Sequence, residues 1–261
     1  MPSVRETQSR SPLAGALVEL GWHGAAEVVD DVLAQATGKR RTPAEVLENL
    51  VARERLERTQ RSLDRRQRRS RIGPFKPWTD FDTTWPQNID LTAIHRALSL
   101  RFLDDGANTI IVGPHGVGKT MLLKNIAHNA ILAGHSVVVI SAGKLLGELT
   151  ATDSPSVRKR RLQYYVGIGL LCLDELGYLA YDDAAADLLF EIVTRRHELR
   201  KPIVLTTNLA FRDWPQIFPN ATCTIALVDR LTHRADILHI DAESWRKKES
   251  AERADRIAAE S

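Results

Sequence analysis

One stretch of eight residues constrains this 261-residue chain more than any other, and it reads Gly113-Pro114-His115-Gly116-Val117-Gly118-Lys119-Thr120. A β-branched run at 109–112 precedes it, and apolar residues at helical spacing follow it from Leu122 to Ala130. A strand, a glycine-rich turn and a helix in this order are typical of a phosphate-binding loop. The pattern therefore predicts a nucleoside triphosphate site at the end of a strand.

The residue types within the loop suit a triphosphate. Its three glycines allow a tight turn that aims backbone N–H groups at phosphate oxygens, and the next helix directs its positive end at the same anion. We expect the Lys119 ammonium to reach the β and γ phosphates and the Thr120 hydroxyl to bind Mg²⁺. The predicted ATP site comprises Gly113, Pro114, His115, Gly116, Val117, Gly118, Lys119, Thr120 and Met121.

Composition narrows the class of protein. With 43% hydrophobic and 26% charged residues, the chain is typical of a soluble globular protein. The first twelve residues lack the apolar segment of a secretory signal, and no run of about 18 apolar residues occurs. We therefore expect a cytoplasmic protein with no membrane partner. Cys172 and Cys223 have neither disulfide-framework nor zinc-site spacing.

Strands and helices alternate from residue 109 onward, which predicts βαβ units and a parallel sheet in an α/β fold. The apolar runs are nearly continuous, as in strands that are covered on both faces. One helix is expected over 91–105, before the first of these strands. The predicted strands span 109–113, 136–140, 169–174, 202–207 and 236–241.

Residues 11–71 are predicted to form helices. Thr42-Pro43-Ala44-Glu45 is a capping box at the start of the third helix. The following stretch, 53–71, holds nine arginines and three acidic residues, so it carries a local excess of six positive charges. These arginines form either a solvated helix face or contacts to nucleic-acid phosphates. The candidate DNA-binding residues here are Arg65, Arg66, Arg68 and Arg69.

The segment 72–90 is predicted to be a linker, because its three prolines oppose regular structure. Its aromatic residues either anchor the helical arm or pack part of the segment, Phe81 in particular, against the adenine ring of ATP. The predicted organisation is an N-terminal helical domain (1–71), this linker, an ATPase domain (91–248) and a polar C-terminal tail (249–261).

Polar residues follow two of the predicted strands. Asp174 and Glu175 end the third strand, and open α/β sheets bind ligands at this edge. Asp174 is placed to hold Mg²⁺ through water, and Glu175 to orient and deprotonate the water that attacks the γ phosphate. Asn208 follows the fourth strand and either caps a loop or positions that water. Arg230, near the end of a helix over 221–231, is by position alone either an electrostatic cap or a functional residue.

Four blocks together resemble the IstB-type ATP-binding proteins, which are AAA+ transposition helpers encoded by insertion sequences. The blocks are GPHGVGKT, LLCLDELGYL, LTTNLAFRDW and ALVDRLTHRADILHIDAESWR. They are also similar to DnaC-type replicative helicase loaders. The likeness covers residues 72–248 closely. It implies an AAA+ P-loop NTPase with a five-stranded parallel sheet in the order 5-1-4-3-2, a small N-terminal helical domain and no C-terminal lid domain.

The resemblance also implies roles for particular residues. Arg230 looks like an arginine finger that reaches ATP on a neighbouring subunit, and Arg246 looks like the second sensor arginine, so hydrolysis would depend on assembly. Related initiator-type ATPases carry an extra helix that binds nucleic acid, at the place where this chain has Arg158, Lys159, Arg160 and Arg161. The alternative for these four residues is a solvated surface helix.

The sequence thus predicts an ATPase that uses ATP and Mg²⁺, self-associates into an ATP-dependent oligomer on duplex DNA, recruits or activates a cognate transposase, and is reset by hydrolysis. DNA would be contacted through backbone charge, because no base-reading motif occurs. One alternative is a helicase loader that acts on single-stranded DNA. Another is a nucleotide-gated DNA-binding scaffold with negligible hydrolysis, against which Glu175 and Arg230 argue.

Overall fold

The computed structural model describes residues 11–245, apart from residues 86–87, 153, 179–180 and 219–220. The chain divides into two compact units, with the division between Arg65 and Arg66. The domain boundaries predicted at residues 71, 90 and 248 stay predictions. The predicted tail, 249–261, lies outside the described residues.

The N-terminal unit is helical. It contains α1 (Pro12–Glu19), α2 (His23–Lys39) and the first part of α3 (Pro43–Ser70). The predicted capping box is confirmed at the start of α3: the Thr42 N–H donates to Glu45 Oε2 at 2.6 Å, and the Glu45 N–H donates to Thr42 Oγ1 at 3.3 Å. This reciprocal pair satisfies two of the amide groups that a helix leaves unbonded at its start.

A small apolar core and one buried carboxylate hold this unit together. The core residues are Ala14, Ala25, Val29 and Leu50. Glu54 is 3% exposed, and it accepts hydrogen bonds from the N–H groups of Gly24 (2.8 Å) and Ala25 (3.3 Å) at the start of α2. Burial raises the pKa of Glu54, but the hydrogen bonds from Arg58, Ala25 and Gly24 outweigh it, so the pKa lies below its ordinary value. Glu54 is therefore a charged cap of α2.

The second unit contains a six-stranded sheet in the order β1-β6-β2-β5-β4-β3. The strands are β1 (Asn88–Ile89), β2 (Asn108–Val112), β3 (Val137–Ser141), β4 (Leu170–Leu176), β5 (Ile203–Thr207) and β6 (Ala235–Asp241). The five predicted strands are parallel neighbours in the predicted order. The predicted strand number was wrong, because β1 adds an antiparallel edge to β6 from within the predicted linker. A two-residue strand has no periodicity from which to predict it.

Helices cover the sheet and connect its strands. A single helix was predicted over 91–105, but the structure has two, because Leu100 between them adopts a left-handed φ of 66°. Among the described residues, no helix is both long and apolar enough to cross a membrane. The helices are α4 (Leu91–Leu98), α5 (Arg101–Asp105), α6 (Lys119–Leu132), α7 (Ala142–Thr150), α8 (Pro155–Gly167), α9 (Asp183–Glu198) and α10 (Ala221–Thr232), with 3₁₀ turns at Trp78–Asp80 and Phe211–Gln216.

The core of this unit lies on the sheet. Alternate strand residues, including Ile140, Leu173 and Leu205, join one large buried cluster with residues of α7, α8, α9 and α10. The helix after the phosphate-binding loop, α6, packs against β2 to β5, and its Leu122 and Leu123 are fully buried. The strands are thus apolar on both faces, which explains their continuous apolar runs.

One buried arginine joins three elements of this unit. Arg196 in α9 is fully buried, and its guanidinium donates to backbone carbonyls at the end of α8, before β4 and before β5. The distances are 2.8 Å to Tyr165, 3.3 Å to Val166, 2.9 Å to Ile168, 3.3 Å to Gly169 and 2.6 Å to Pro202. Burial lowers the pKa of Arg196 to about 9, so the group stays charged at neutral pH.

Candidate nucleotide site

A cavity of about 420 Å³ lies beside the phosphate-binding loop and the carboxyl ends of β4 and β5. Its size falls in the range of small-molecule sites. Every loop residue from His115 to Met121 lines it, and the assignment of these residues to ATP stays a prediction. The other lining residues are Lys76, Asp80, Phe81, Asp82, Trp85, Glu175, Tyr178, Thr206, Asn208 and Trp245.

The glycines of the loop are required by backbone conformation and by space. Gly116 and Gly118 have left-handed φ values of 80° and 94°. A Cβ atom on Gly116 would lie 2.3 Å from Ser244 Oγ, and one on Gly118 would lie 2.6 Å from Phe81 Cε2. Larger residues would therefore strain the turn and displace its neighbours. The remaining predicted residues, Gly113 and Pro114, accept hydrogen bonds from Lys119 Nζ through their carbonyl oxygens, at 2.7 and 2.6 Å.

The two predicted magnesium ligands lie together. The hydroxyl of Thr120 is 3.0 Å from both carboxylate oxygens of Asp174. Thr206 Oγ1 donates to Asp174 Oδ1 at 2.6 Å, which fixes the carboxylate from the neighbouring strand. Hydroxyl and carboxylate oxygens are the ligands that Mg²⁺ prefers, so this pair fits the ion. Thr206 was not predicted as a site residue, although the two hydroxyls that end the apolar run of β5, Thr206 and Thr207, were a visible signal.

A β-bulge directs Glu175 into the cavity. Leu173 of β4 pairs with Leu205, but Leu176 pairs with Thr207, so β4 has one more residue than β5 at this point. Glu175 lies inside the bulge with a φ of 59°, and its N–H donates to Thr206 Oγ1 at 2.8 Å. Successive side chains of a regular strand point to opposite faces, whereas a bulge re-aims one of them. Both acids of the pair can thus serve one site.

Asn208 and His115 contact each other at the edge of the cavity. Asn208 Nδ2 lies 3.1 Å from Nε2 of His115. The His115 ring also meets the ring of Tyr178 edge-on, with a centroid separation of 6.1 Å. The sequence placed Asn208 at this edge of the sheet and His115 in the loop, but it gave no sign that the two side chains meet.

Aromatic residues from two distant segments line the other part of the cavity. Phe81 stacks on Trp78 at 4.3 Å between ring centroids, and Trp85 packs edge-on against Trp245 at 5.8 Å. Trp245 also donates its backbone N–H to the Gly116 carbonyl at 3.0 Å. Trp245 was not among the site residues predicted from the sequence. Both interpretations of the aromatic residues, anchoring and adenine contact, stay predictions.

The two predicted catalytic arginines differ in what the structure shows. Arg230 in α10 is half-buried; its guanidinium lies 4.9 Å from the centroid of the Phe190 ring, and Nη1 donates to the Ala226 carbonyl at 3.2 Å. It is not among the described residues that line the cavity. Its assignment as a finger for a neighbouring subunit stays a prediction. Arg246 lies outside the described residues.

The predicted DNA-binding residues are mostly exposed. In α3, Arg65, Arg68 and Arg69 are exposed, whereas Arg66 is half-buried and donates from Nε to the Ile131 carbonyl at 3.1 Å. The predicted helix over 158–161 is confirmed as α8, and all four cations on it are exposed. Arg158 and Arg161 donate to the carbonyls of Thr152 and Glu148, and Arg160 and Arg161 line a second cavity with Arg71, Glu148, Tyr164 and Tyr165.

Comparison with known sequences finds one family over most of the chain. The profile of the IstB-like ATP binding protein family matches residues 15–253. A Pseudomonas aeruginosa protein, named for insertion sequence IS21 and for ATP binding, is 34% identical over 221 residues, which are 85% of this chain and 83% of that protein. A Geobacillus stearothermophilus protein, named for insertion sequence IS5376, is 33% identical over 206 residues, 79% of this chain and 82% of the relative.

Solved structures share the fold of the second unit. The AMPPCP-bound DnaA of Aquifex aeolicus is similar with a TM-score of 0.55 and 20% identity, over 66% of this chain and 51% of that one. The DnaC helicase loader is similar with a TM-score of 0.51 and 19% identity, over 66% of this chain and 97% of that one. At these identities the likeness concerns the fold alone, and it confirms the predicted α/β P-loop architecture.

Proposed function

Because this chain belongs to the IstB-like ATP-binding proteins and is an AAA+ ATPase, we propose that it assembles on duplex target DNA when ATP is bound. It then recruits or activates a cognate transposase and is reset by ATP hydrolysis. The main support is that relatives named for insertion sequences align with most of this chain, and that the family profile matches residues 15–253, a range that includes the nucleotide site. We place this activity in the cytoplasm, as the composition predicts.

In this proposal, the triphosphate of ATP lies in the glycine-rich loop. The loop adopts left-handed φ values at Gly116 and Gly118, which turns successive backbone N–H groups toward one anion. Lys119 donates to the Gly113 and Pro114 carbonyls, so its ammonium lies at the loop. A phosphate oxygen bound there would accept a charge-assisted hydrogen bond from the same ammonium.

Thr120 and Asp174 would hold Mg²⁺ through their oxygens, and when bound, the ion would neutralise charge on the phosphates. Thr206 supports both acidic residues: it donates to the carboxylate of Asp174 and accepts from the backbone of Glu175. One hydroxyl thus fixes the position of the proposed magnesium ligand relative to the proposed general base.

Hydrolysis requires a water molecule that is oriented and deprotonated next to the γ phosphate. We assign the general base to Glu175, whose carboxylate reaches the cavity because of the β-bulge, and the orientation of water to Asn208. Arg230 would act on ATP of a neighbouring subunit, so turnover depends on assembly, and Arg246 is proposed as the second sensor from the resemblance alone. An arginine finger is worth about 10³ to 10⁵ in rate.

We propose that duplex DNA is bound through its phosphates. The proposed contacts are the exposed cations of α3 (Arg65, Arg68, Arg69) and of α8 (Arg158, Lys159, Arg160, Arg161). Arg66, a candidate from the sequence, is half-buried and is proposed as a weaker contact. Contacts to phosphates release counterions from the DNA, and they do not depend on the base sequence. The affinity should therefore fall steeply as the salt concentration rises.

The decisive experiment is equilibrium binding to matched duplex and single-stranded DNA, with ATP, with ADP and without nucleotide, over a range of salt concentrations. We expect duplex binding only with ATP. A preference for single strands would instead favour a helicase loader. ATP turnover no faster than that of a Glu175→Gln variant, with and without DNA, would favour a scaffold that does not depend on hydrolysis.

The proposed DNA-binding arginines have a matched control. Replacing Arg65, Arg68 and Arg69 with alanine should reduce the slope of log affinity against log salt by about 0.9 for each phosphate that is no longer neutralised. Replacing Lys39, Arg101 and Arg212, three exposed cations elsewhere, removes the same charge and should leave the slope nearly unchanged. Equal slopes for the two triple variants would refute the proposed role of α3 in binding DNA.

A further inference from the structure

The side chain of His115 bridges two parts of the nucleotide site that are 93 residues apart in sequence. His115 belongs to the loop after β2, and Asn208 follows β5. Asn208 Nδ2 lies 3.1 Å from His115 Nε2, and both side chains line the cavity. The contact therefore joins the phosphate-binding loop to the residue that we expect to orient water.

The chemistry of this contact gives each polar atom a role. The amide nitrogen of Asn208 can only donate a hydrogen bond, so Nε2 of His115 accepts it in this arrangement. With Nδ2 committed to His115, the other polar atom of the amide, Oδ1, is left to accept a hydrogen bond from a different donor.

The His115 ring is held from a second side by Tyr178. The two rings meet at an interplanar angle of 82°, an edge-on arrangement that aromatic pairs favour. Tyr178 is 65% exposed and His115 is also exposed, so neither side chain belongs to the buried core. The pair is therefore placed to serve the site and contributes little to packing.

We infer that His115 is a positioning residue for ATP hydrolysis, which holds the Asn208 amide so that its Oδ1 accepts a hydrogen bond from the attacking water. The inference rests on the proposed role of Asn208 and deepens it. His115 itself acts through Asn208 and does not touch the reacting atoms. If the Asn208 amide is already oriented, it loses less rotational freedom when the transition state forms. The contact with His115 should therefore raise kcat.

The test compares two amide replacements of His115. The side-chain oxygen of glutamine reaches about as far as Nε2 of histidine, whereas that of asparagine is one methylene shorter. Losing one neutral hydrogen bond corresponds to roughly a 3- to 10-fold effect. We expect His115→Asn to lower kcat by about that factor, with KM for ATP nearly unchanged, and His115→Gln to keep a kcat several-fold higher than His115→Asn.

The same two replacements are then made in an Asn208→Ala protein. We expect them to have no further effect on kcat there, because their effect passes through the missing amide. An equal loss of kcat with and without Asn208 would show that His115 acts independently and would overturn the inference. A His115→Asn protein whose affinity for a fluorescent ATP analogue falls as much as its kcat would also overturn it, since His115 would then be a nucleotide contact.

Failure of the proposed function is recognised separately. If Asn208→Ala leaves kcat unchanged, the role of Asn208 and the inference about His115 both fail. Duplex binding with ATP by the unmodified protein reports the DNA-dependent part of the proposed function. That part can fail while the kcat comparison still supports His115.

Discussion

The nucleotide site and the N-terminal unit are held together in different ways. The polar residues of the site lie at strand ends whose positions are fixed by a large buried core, to which Leu173 and Leu205 belong. In the described part of the N-terminal unit, the buried apolar cluster is much smaller, and the carboxylate of Glu54 is buried beside the start of α2. We therefore expect the site to accept polar substitutions without unfolding, whereas one polar substitution should loosen the N-terminal unit.

The largest expected effect is at the site. Glu175→Gln should lower kcat by about 10² to 10⁴, because an amide cannot take a proton from water. The fold should persist, since Glu175 is exposed and the bulge is held by its backbone N–H on Thr206. The measurements are steady-state ATP hydrolysis with DNA and the affinity for a fluorescent ATP analogue.

Glu198→Gln is the matched control for this change, because Glu198 is an exposed carboxylate at the end of α9. Its kcat should equal that of the unmodified protein. The assignment of the base fails if Glu175→Gln hydrolyses ATP as fast as Glu198→Gln does. A fall in the thermal midpoint of Glu175→Gln would instead show that polar substitutions at this edge of the sheet do destabilise the fold.

The second prediction concerns stability within the larger unit. Arg196→Met should lower the free energy of unfolding by about 3 kcal/mol, because several buried carbonyls lose their donor at once. The thermal midpoint should then fall by roughly 6 to 12 °C, as measured by calorimetry. The control is Arg195→Met, at a half-buried neighbour that pairs with Glu191 at 3.2 Å, and this change should alter the thermal midpoint little. Equal midpoints for the two variants would show that Arg196 does not organise this unit.

Much of the fold could be predicted because its signals are local. Each of the five parallel strands begins and ends within two residues of its predicted bounds, since each is a short apolar run between turns. The capping box at Thr42 and Glu45 needs only four residues of sequence. The phosphate-binding loop likewise combines its glycines, its cation and its hydroxyl within eight residues.

The features that sequence reasoning missed depend on contacts between distant residues. Strand β1 exists through its pairing with β6, about 150 residues later, and the bulge at Glu175 appears only once β4 is aligned with β5. In the sequence, nothing distinguishes Arg196 from the other arginines of amphipathic helices, because most of its carbonyl partners lie in a distant segment. The same limit applies to the nucleotide site, where Thr206 and the contact between His115 and Asn208 come from separate loops and strands.

The third prediction tests the N-terminal unit. Glu54→Gln should lower its stability by about 1 to 3 kcal/mol, because the start of α2 and Arg58 lose a charged acceptor. Amide hydrogen exchange at Gly24 and Ala25 is the measurement, and their protection should fall. The matched control is Glu57→Gln, because Glu57 is more exposed and pairs with Arg61 at 3.2 Å. Equal protection in both variants would contradict the role of Glu54.

The pH dependence of the same unit follows from the pKa of Glu54, which is lower in the folded state than the ordinary value of 4.5. A carboxyl group with a lowered folded pKa stabilises the fold fully above its unfolded pKa. This contribution should therefore be complete above about pH 4.5 and be lost as the pH falls through the folded pKa. Glu54→Gln should remove that part of the acid sensitivity of Gly24 and Ala25 protection.

The smallest expected effect is a difference between Arg66 and Arg69, which lie one turn apart in α3. Arg66 donates to the Ile131 carbonyl, so Arg66→Ala should cost about 0.5 to 1.5 kcal/mol of stability. Arg69 is exposed, so Arg69→Ala should change stability by less than about 0.5 kcal/mol. In duplex binding the order should reverse, because Arg69 is proposed to contact a phosphate, whereas Arg66 donates to a carbonyl of the protein. Denaturant unfolding and salt-dependent DNA binding of the two variants check both orders. If Arg66→Ala reduces the salt slope as much as Arg69→Ala does, the hydrogen bond to Ile131 does not keep Arg66 from the DNA.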